Sequence, residues 1–322
     1  MRIALVTTSY PTFEGQAAGH FVASEAEALS RAGHDVSVVA PDLSDCASRV
    51  GPRLIGVAGL GLFGSPGALV RLRQNPLRAA GALWFVLRAR RELARRGRFD
   101  RIIAHWLLPC GWPILSGFPG ALEVVIHGSD LRIYRRLPGP LRRHLVSTWL
   151  RAGVSFRCVS EALRESLLEA AGPGLEPHVR VEASPLDLEL RVTRAEAREQ
   201  LELDEGTRLI VLVARLIPDK RIRTALEAVS DLPGVQISVV GGGPDEPALR
   251  RAFPLVHFAG ELPRPRALLW IHAADVLVSA SKLEGAPTSV REARAMNVPV
   301  VACPAGDLAR WAEFDAGLWL TH

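Results

Sequence analysis

Lysine and cysteine are both scarce in this sequence of 322 residues. Arginines outnumber lysines 37 to 2, a bias that GC-rich coding would also produce. The four cysteines form no C-x-x-C pair and have no metal-ligand spacing: Cys46, Cys110, Cys158 and Cys303. This scatter fits a reduced, cytosolic compartment better than a disulfide-bonded secreted fold.

Long apolar runs are absent as well. The longest, at 82–87 and 209–214, are far shorter than the roughly 20 residues that a membrane span needs. The opening MRIALVTTSYP has no apolar core followed by a small-residue cleavage site. We interpret it as a first β-strand and not as a signal peptide. The sequence therefore predicts a soluble, cytoplasmic protein.

The net charge of +5 is unevenly spread. Residues 1–190 hold 23 arginines against 17 acidic residues, whereas the remainder has a net charge of −1. A basic half of this kind suits nucleic acid, anionic lipid or a phosphorylated ligand. The arginines fall largely within predicted helices, without a recognition motif or aromatic stacking residues on a sheet, so we expect no nucleic acid partner.

The remaining composition predicts two α/β domains. The chain is 48% hydrophobic and 23% charged, and it is longer than a single core usually grows. Short apolar strands alternate with helical stretches, as in parallel, doubly wound sheets. The predicted strands are Arg2–Thr8, Asp35–Ala40 (ended by Pro41), Arg101–Ala104, Val124–His127, Phe156–Val159, Leu209–Ala214, Gln236–Val240, Val256–Phe258, Val276–Ser279 and Val298–Ala302. We expect two Rossmann-like domains, residues 1–188 and 189–322, facing each other across a ligand-binding cleft.

The most specific motif is SKLEGAPTSVREARAMNVPVVA at 281–302. Glu284 and Glu292 are separated by seven residues, and a tight turn formed by Gly285 and Pro287 stands between them. A helix is predicted to begin at Pro287 or Thr288 and to run to about Met296, with Asn297 as the left-handed residue at its end. Backbone N–H groups from Ala286 onward and the helix dipole would then bind a phosphate. The alternative is a loop acid and a solvated helix residue.

Two cations follow the strand at 209–214. Arg215 comes directly after it, and Lys220 precedes the next helix. Fixed cations at a strand's carboxyl end suit a diphosphate leaving group, whose charge grows as its bond breaks. An ordinary pair of turn cations is the simpler interpretation.

R-x4-K after a strand, followed by E-G-x-P-x4-E-A, is similar to the donor domain of glycosyltransferase family 4. The segments ISVVGGGPDEPALR, VHFAGELPR and LLWIHAADVLVSAS agree with it, and AHWLLPCG and VVIHGSDLR resemble the family's acceptor-side loops. The resemblance covers nearly the whole chain. It implies the GT-B fold and a retaining glycosyltransferase of cell-surface glycan synthesis, with a UDP- or GDP-sugar donor and a saccharide or lipid-linked acceptor.

Roles carry over from that resemblance position by position. Arg215 and Lys220 would bind the donor diphosphate, Glu292 the ribose hydroxyls and Glu284 the transferred sugar. His127 would lie beside the reacting face of the sugar and stabilise developing charge. The donor-binding set also includes Gly285, Ala286, Pro287 and Thr288 of the turn, and Gly15 and Gly19 of a flexible loop after the first strand. The family's commoner Gly-Gly pair is missing from that loop.

The sequence departs from the family at its carboxyl end, where relatives usually continue into helices that cross back to the first domain. We expect either a different domain closure or another subunit at that surface. No D-x-D occurs, and no histidine is paired with another His or Cys at ligand spacing. Because Arg, Lys and a helix terminus can neutralise the leaving group, we expect no metal and no other cofactor.

Histidines and glycines leave other interpretations open. His127 could be a satisfied core residue, and His105 and Trp106 fit cleft lining or packing. VVGGGPDEPA at 239–248 resembles a dinucleotide fingerprint, but Glu246 replaces its third glycine. Two alternatives to a glycosyltransferase therefore stay open: an oxidoreductase and a non-catalytic GT-B subunit.

The stretch from Arg71 to Arg101 holds ten arginines and two acidic residues. Apolar residues recur in it at helical spacing: Leu77, Ala80, Trp84, Leu87 and Leu93 or Ala94. A second cluster follows the HGSD loop: Arg132, Arg135, Arg136, Arg142 and Arg143. A helix with an apolar stripe and cationic flanks can lie on an anionic bilayer, so we expect peripheral contact with the inner membrane face. The alternative is a helix that packs Trp84 and Leu87 against the sheet.

Overall fold

The computed structural model describes residues 1–13, 15–16, 18–43, 51–63, 67–186, 188, 190, 192–204 and 206–321. The contacts within the chain divide it into two compact units, residues 1–13 with 18–185 and residues 14–17 with 186–322. The predicted boundary between residues 188 and 189 stays a prediction, because residue 189 lies outside the described ranges. Cys46 lies outside them as well.

The first unit is a parallel sheet with helices between its strands. The strands are β1 (Arg2–Val6), β2 (Asp35–Pro41), β3 (Arg53–Val57), β4 (Arg101–His105), β5 (Ala121–Ile126), β6 (Ser155–Cys158) and β7 (Val179–Val181). The helices are α1 (His20–Arg31), α2 (Ala68–Gln74), α3 (Ala79–Arg95), α4 (Ser129–Arg135), α5 (Gly139–Arg151) and α6 (Glu161–Ala171). The seven strands lie in the order β3-β2-β1-β4-β5-β6-β7.

The second unit repeats this plan with six strands. They are β8 (Arg208–Val213), β9 (Val235–Val240), β10 (His257–Gly260), β11 (Val276–Ser279), β12 (Val300–Ala302) and β13 (Leu318–Leu320), in the order β10-β9-β8-β11-β12-β13. The helices are α7 (Arg194–Gln200), α8 (Ile222–Val229), α9 (Glu246–Ala252), α10 (Arg264–Ala273), α11 (Thr288–Ala295) and α12 (Leu308–Ala312).

Strand β8 shows why both faces of the second sheet are covered. Successive side chains of a strand point to opposite faces. Leu209 and Val211 belong to one buried cluster, whereas Ile210 and Leu212 belong to the other. An apolar side chain at each of these positions therefore requires helices on both faces, which confirms the predicted α/β class with two Rossmann-like sheets. In the described ranges, no helix combines the length and the apolar content needed to cross a bilayer.

All ten predicted strands are present, with ends shifted by a few residues. The second strand ends at Pro41, which is its last residue and lies one position beyond the predicted range. Three further strands, β3, β7 and β13, were missed; each is an edge strand and carries a short or mixed apolar pattern. Helix α1 ends at Arg31, and Gly33 follows in the left-handed region at φ 84°, where glycine is favoured after a helix.

Candidate functional site

Each sheet has one point where the strand order reverses, between β1 and β4 in the first unit and between β8 and β11 in the second. Ligands of open α/β sheets bind outside the carboxyl ends of the strands at such points. The loop after β8 carries Arg215 and Lys220, and the loop after β11 carries Glu284. These residues of the second unit therefore lie at its switch point.

Lys220 and Glu284 form an ion pair. The Lys220 Nζ lies 2.5 Å from Oε1 of Glu284, and both side chains are largely buried. The two loops are also joined through the backbone, because the Lys282 N–H donates to the Asp219 carbonyl over 3.0 Å. The resemblance assigned Lys220 to the diphosphate and Glu284 to the sugar, and in the structure these two side chains are in direct contact.

The loop of Arg215 is supported by the glycines after β9. A Cβ at Gly241 would overlap the carbonyl of Ala214, and one at Gly243 would overlap that of Leu216. The Leu216 N–H donates to the Gly242 carbonyl over 2.9 Å. This glycine run is therefore explained by close backbone packing against the loop that presents Arg215, whose side chain is exposed.

Glu292 is not the solvated helix residue of the simpler interpretation. It lies in the second turn of α11, only 6% exposed, and its Oε1 accepts a hydrogen bond from Nη2 of Arg264 over 2.9 Å. Burial raises the pKa of the Glu292 carboxyl, while Arg264 and Arg291 oppose that shift. Arg264 was not singled out from the sequence, since a cation at a helix start has no distinctive local signal.

The turn between the two glutamates has the predicted form. Pro287 is the N-cap residue of α11, which begins at Thr288. Gly285 and Ala286 are partly buried in the turn before it. A Cβ at Gly306 would overlap the backbone carbonyl of Glu284, so this glycine lets the loop after β12 pack against the turn. Asn297 ends the helix at φ 58°, as predicted.

The two glycines predicted to form one flexible loop differ in their surroundings. Gly19, at φ 79°, is the N-cap residue of α1, and a Cβ there would overlap the Ser9 carbonyl. Gly15 groups with the second unit, where its carbonyl accepts a hydrogen bond from the Arg264 N–H over 2.5 Å. Gly15 is thereby joined to the residue whose side chain holds Glu292.

In the first unit, His127 follows β5 directly. Its ring is partly buried between those of Phe21, 4.8 Å away, and Trp106, 5.0 Å away, measured between ring centroids. Burial, with a smaller contribution from the charge of Arg157, lowers the pKa of His127 to about 3. The ring is therefore neutral at physiological pH and can act as a hydrogen-bond donor at one nitrogen and an acceptor at the other.

His105, which the sequence left as lining or packing, is completely buried at the end of β4. Its Nδ1 lies 3.1 Å from Nε2 of His127, and its Nε2 lies 3.7 Å from Oε2 of Glu25 on α1. Glu25 also contacts Arg157, a buried arginine in β6. A charge inside an apolar strand requires a partner, so Arg157 was the available sequence signal for this cluster. In the described part of the chain, no three His, Cys, Asp or Glu side chains form a group that could hold a metal ion.

Asp130 fixes the loops around these histidines. Its Oδ2 accepts the Leu107 N–H over 2.7 Å, and its Oδ1 accepts the Gly128 N–H over 2.9 Å. Burial raises the pKa of the Asp130 carboxyl, and these backbone hydrogen bonds oppose the shift. One buried side chain thus ties the loop after β4 to the loop after β5.

Two family models match the chain. The model described as Glycosyltransferase Family 4 matches residues 18–188, and the one described as Glycosyl transferases group 1 matches residues 207–320. The putative teichuronic acid biosynthesis glycosyltransferase TuaC of Bacillus subtilis is 26% identical over 339 residues, covering 96% of this chain and 82% of TuaC.

Solved structures are similar over the whole chain. Sucrose-phosphate synthase from Thermosynechococcus elongatus has a TM-score of 0.78 at 20% identity, covering 99% of this chain and 85% of that one. Anabaena HepE in complex with UDP and glucose has a TM-score of 0.70 at 16% identity, covering 100% of this chain and 85% of that one. At these identities the likeness shows the fold alone.

Proposed function

The chain belongs to glycosyltransferase family 4. We propose that it transfers a sugar from a UDP- or GDP-sugar to a lipid-linked or saccharide acceptor of cell-surface glycan synthesis. We propose that this transfer retains the configuration of the sugar and needs no metal. It is a nucleotide-sugar-dependent glycosyltransferase with the GT-B fold. The observation that carries the proposal is the ion pair between Lys220 and Glu284, which lies before the start of α11 at the switch point of the second sheet.

Each proposed role has a physical basis in the second unit. The leaving diphosphate gains charge as the sugar–phosphate bond breaks, and Arg215, Lys220 and the N–H groups at the start of α11 can neutralise it without a metal. Glu292, held by Arg264, is a preoriented acceptor for the two ribose hydroxyls. Glu284 presents its carboxylate beside the diphosphate-binding cation, where the first hydroxyls of the sugar would follow.

Transfer itself is the first test. The protein is incubated with UDP-, GDP- and ADP-sugars, release of the nucleotide is measured, and the anomeric configuration of the product is determined by NMR. We expect one nucleotide to be preferred, the product to keep the configuration of the donor, and the rate to be unchanged by EDTA. Inversion at the anomeric carbon would refute retention, and loss of activity in EDTA with recovery in Mn²⁺ would refute the metal-free site.

The acceptor we propose is presented at an anionic membrane, because helix α3 has a second, unpaired apolar face. Phe85, Ala89 and Leu93 pack inward, whereas Ala94 is exposed, so of the two predicted alternatives only Ala94 can belong to the membrane stripe. The outer face of α3 is exposed at Leu83 (63%), Leu87 (53%) and Trp84 (39%), and Leu77 (85%) is exposed just before the helix. Trp84 and Leu87 are therefore not the residues that pack α3 against the sheet.

Exposed cations accompany this outer face. Arg88, Arg91 and Arg95 are exposed on α3, Arg73 is exposed on the preceding α2, and the Arg88 guanidinium lies 4.7 Å from the centre of the Trp84 ring. Exposed apolar side chains beside arginines match a lipid surface, where the apolar groups enter the headgroup boundary and each cation adds about 1 kcal/mol with anionic lipid.

Sedimentation with vesicles tests this surface. We expect the protein to pellet with phosphatidylglycerol vesicles at low salt, to stay in the supernatant with pure phosphatidylcholine, and to be released above about 0.5 M salt as the charges are screened. A Trp84→Ala/Leu87→Ala variant should lose binding. Leu255→Ala, which truncates a 98% exposed leucine in the second unit, should bind like the wild type. Wild-type protein that remains soluble with the anionic vesicles would favour a saccharide acceptor.

A further inference from the structure

Three side chains of the first unit, two of them buried and one partly buried, form a row at the carboxyl ends of its central strands. Glu25 comes from α1, His105 from the end of β4, and His127 from the loop after β5. Strands β1, β4 and β5 are neighbours in the sheet, so the helix after β1 and the ends of β4 and β5 meet at one edge. Neither Glu25 nor His105 has a role in the function proposed above.

The row contains two buried polar atoms that lack a hydrogen-bond partner among the described residues, Oε2 of Glu25 and Nε2 of His105. They face each other at 3.7 Å. An approach of about 0.7 Å would give an ordinary N–H···O hydrogen bond and satisfy both atoms, which would otherwise remain buried and unpaired at a cost in stability.

The charge of Glu25 is set by its other oxygen. Oε1 of Glu25 accepts a close hydrogen bond from the buried, positively charged guanidinium of Arg157. Burial raises the pKa of the Glu25 carboxyl and Arg157 opposes that shift. Held against a guanidinium, the carboxylate is an acceptor only, so the His105 Nε2 that faces it must carry a hydrogen.

The proton on His105 then determines the proton on His127. Burial holds the pKa of His105 well below its usual range, so its ring is neutral and has a single N–H. With that hydrogen on Nε2, Nδ1 of His105 is a lone pair. The 3.1 Å contact therefore requires an N–H on Nε2 of His127, which leaves Nδ1 of His127 as an acceptor.

We propose that Glu25 and His105 are positioning residues that lock His127 in the Nε2–H tautomer, so that its Nδ1 accepts a hydrogen bond from a substrate hydroxyl. The two imidazole rings are nearly parallel, with centroids 5.3 Å apart and planes at 16°, so the hydrogen bond between their edges fixes the ring orientation as well. This inference rests on the proposed function only for the identity of the hydroxyl. The tautomer itself is a property of the free protein.

Long-range ¹H–¹⁵N NMR of the histidine rings at pH 7 measures the tautomer directly, with the His127 signals assigned from their absence in His127→Gln. We expect wild-type His127 to be Nε2–H. His105→Phe removes the acceptor and should release His127 into a mixture of tautomers. His105→Asn keeps an oxygen near the position of Nδ1 and should restore the Nε2–H form.

Turnover provides the second measurement, with Glu123→Gln as the matched control. Glu123 is the other buried carboxylate beside Arg157, with its Oε1 3.0 Å from the Arg157 Nε, but within the described residues it forms no hydrogen bond or ion pair with His105. We expect Glu25→Gln and His105→Phe to lower kcat about 10- to 100-fold, as for residues that orient a ligating histidine, without changing the Kd of the nucleotide. The kcat of His105→Asn and of Glu123→Gln should stay within about threefold of the wild-type value, because neither variant removes a group that orients His127.

Different failures have different meanings. Wild-type His127 in the Nδ1–H form, or an unchanged tautomer in both Glu25→Gln and His105→Phe, overturns the inference whether or not the protein transfers sugar. An equal loss of kcat in Glu25→Gln and Glu123→Gln also overturns it, since Arg157 would then be the common cause. The expected tautomers in a protein without transferase activity would overturn only the proposed function.

Discussion

Replacing Arg215 or Lys220 with alanine is expected to lower kcat about 10²- to 10³-fold while leaving the fold intact. The loss of one positioned charge corresponds to about 2.7–4 kcal/mol of transition-state stabilisation, by analogy with oxyanion donors. Both residues follow β8 at the switch point, and Lys220 is held in place by Glu284. The measurement is initial rate against donor concentration, with thermal unfolding as the check on folding.

The second lysine of the chain provides the matched control. Lys282 has an exposed side chain and lies close in sequence to Glu284, but it donates to Asp219 only through its backbone N–H. Lys282→Ala should therefore keep near-normal turnover. If Arg215→Ala and Lys220→Ala also transferred sugar at near-normal rates, neither cation would neutralise the leaving diphosphate.

The two glutamates are expected to separate nucleotide binding from transfer. Glu292→Gln keeps the shape of the side chain but removes the charge that two ribose hydroxyls would meet, and a hydrogen bond to a charged group contributes about 1.5–3 kcal/mol. We expect free UDP or GDP, whichever the wild type prefers, to bind about 10- to 100-fold more weakly by calorimetry, in line with that range.

Glu284→Ala should have the opposite profile. Its removal frees the Lys220 ammonium from a carboxylate 2.5 Å away, so the nucleoside diphosphate should bind as tightly as before or more tightly. Transfer should nevertheless fall about 10²-fold, because the proposed contact with the sugar is lost. Glu227→Ala, an exposed glutamate 3.9 Å from Arg223, is the control and should change neither quantity. Equal losses of nucleotide affinity in Glu284→Ala and Glu292→Gln would reject this division of roles.

Much of the second unit's site was predictable because its signals are local. Neighbouring residues are enough to recognise a cation directly after an apolar strand. They also show a glycine–proline turn before a helix and the left-handed Asn297 after it. The first unit's site was less predictable. His105 has the same local pattern as a packed core histidine, and Glu25 lies in a helix beside other polar residues.

Helix α3 shows a different limit. Its pattern contains two apolar stripes, and local periodicity does not tell which of them faces the sheet. The structure buries the stripe of Phe85, Ala89 and Leu93 and leaves Trp84 and Leu87 outside. The density of arginine beside the outer stripe was visible in the sequence, but its meaning depended on which stripe was buried.

By itself, the sequence determined ten of the strands described, the α/β class and the residues at the ends of β8 and β11, since periodicity, turns and caps act within a few residues. The tertiary structure alone decided which side chains meet. Lys220 and Glu284 are 64 residues apart, Glu25 and Arg157 132 apart, and His105 and His127 22 apart. These pairs depend on the order of strands in each sheet, and that order is set by the packing of helices on both faces, not by any local pattern.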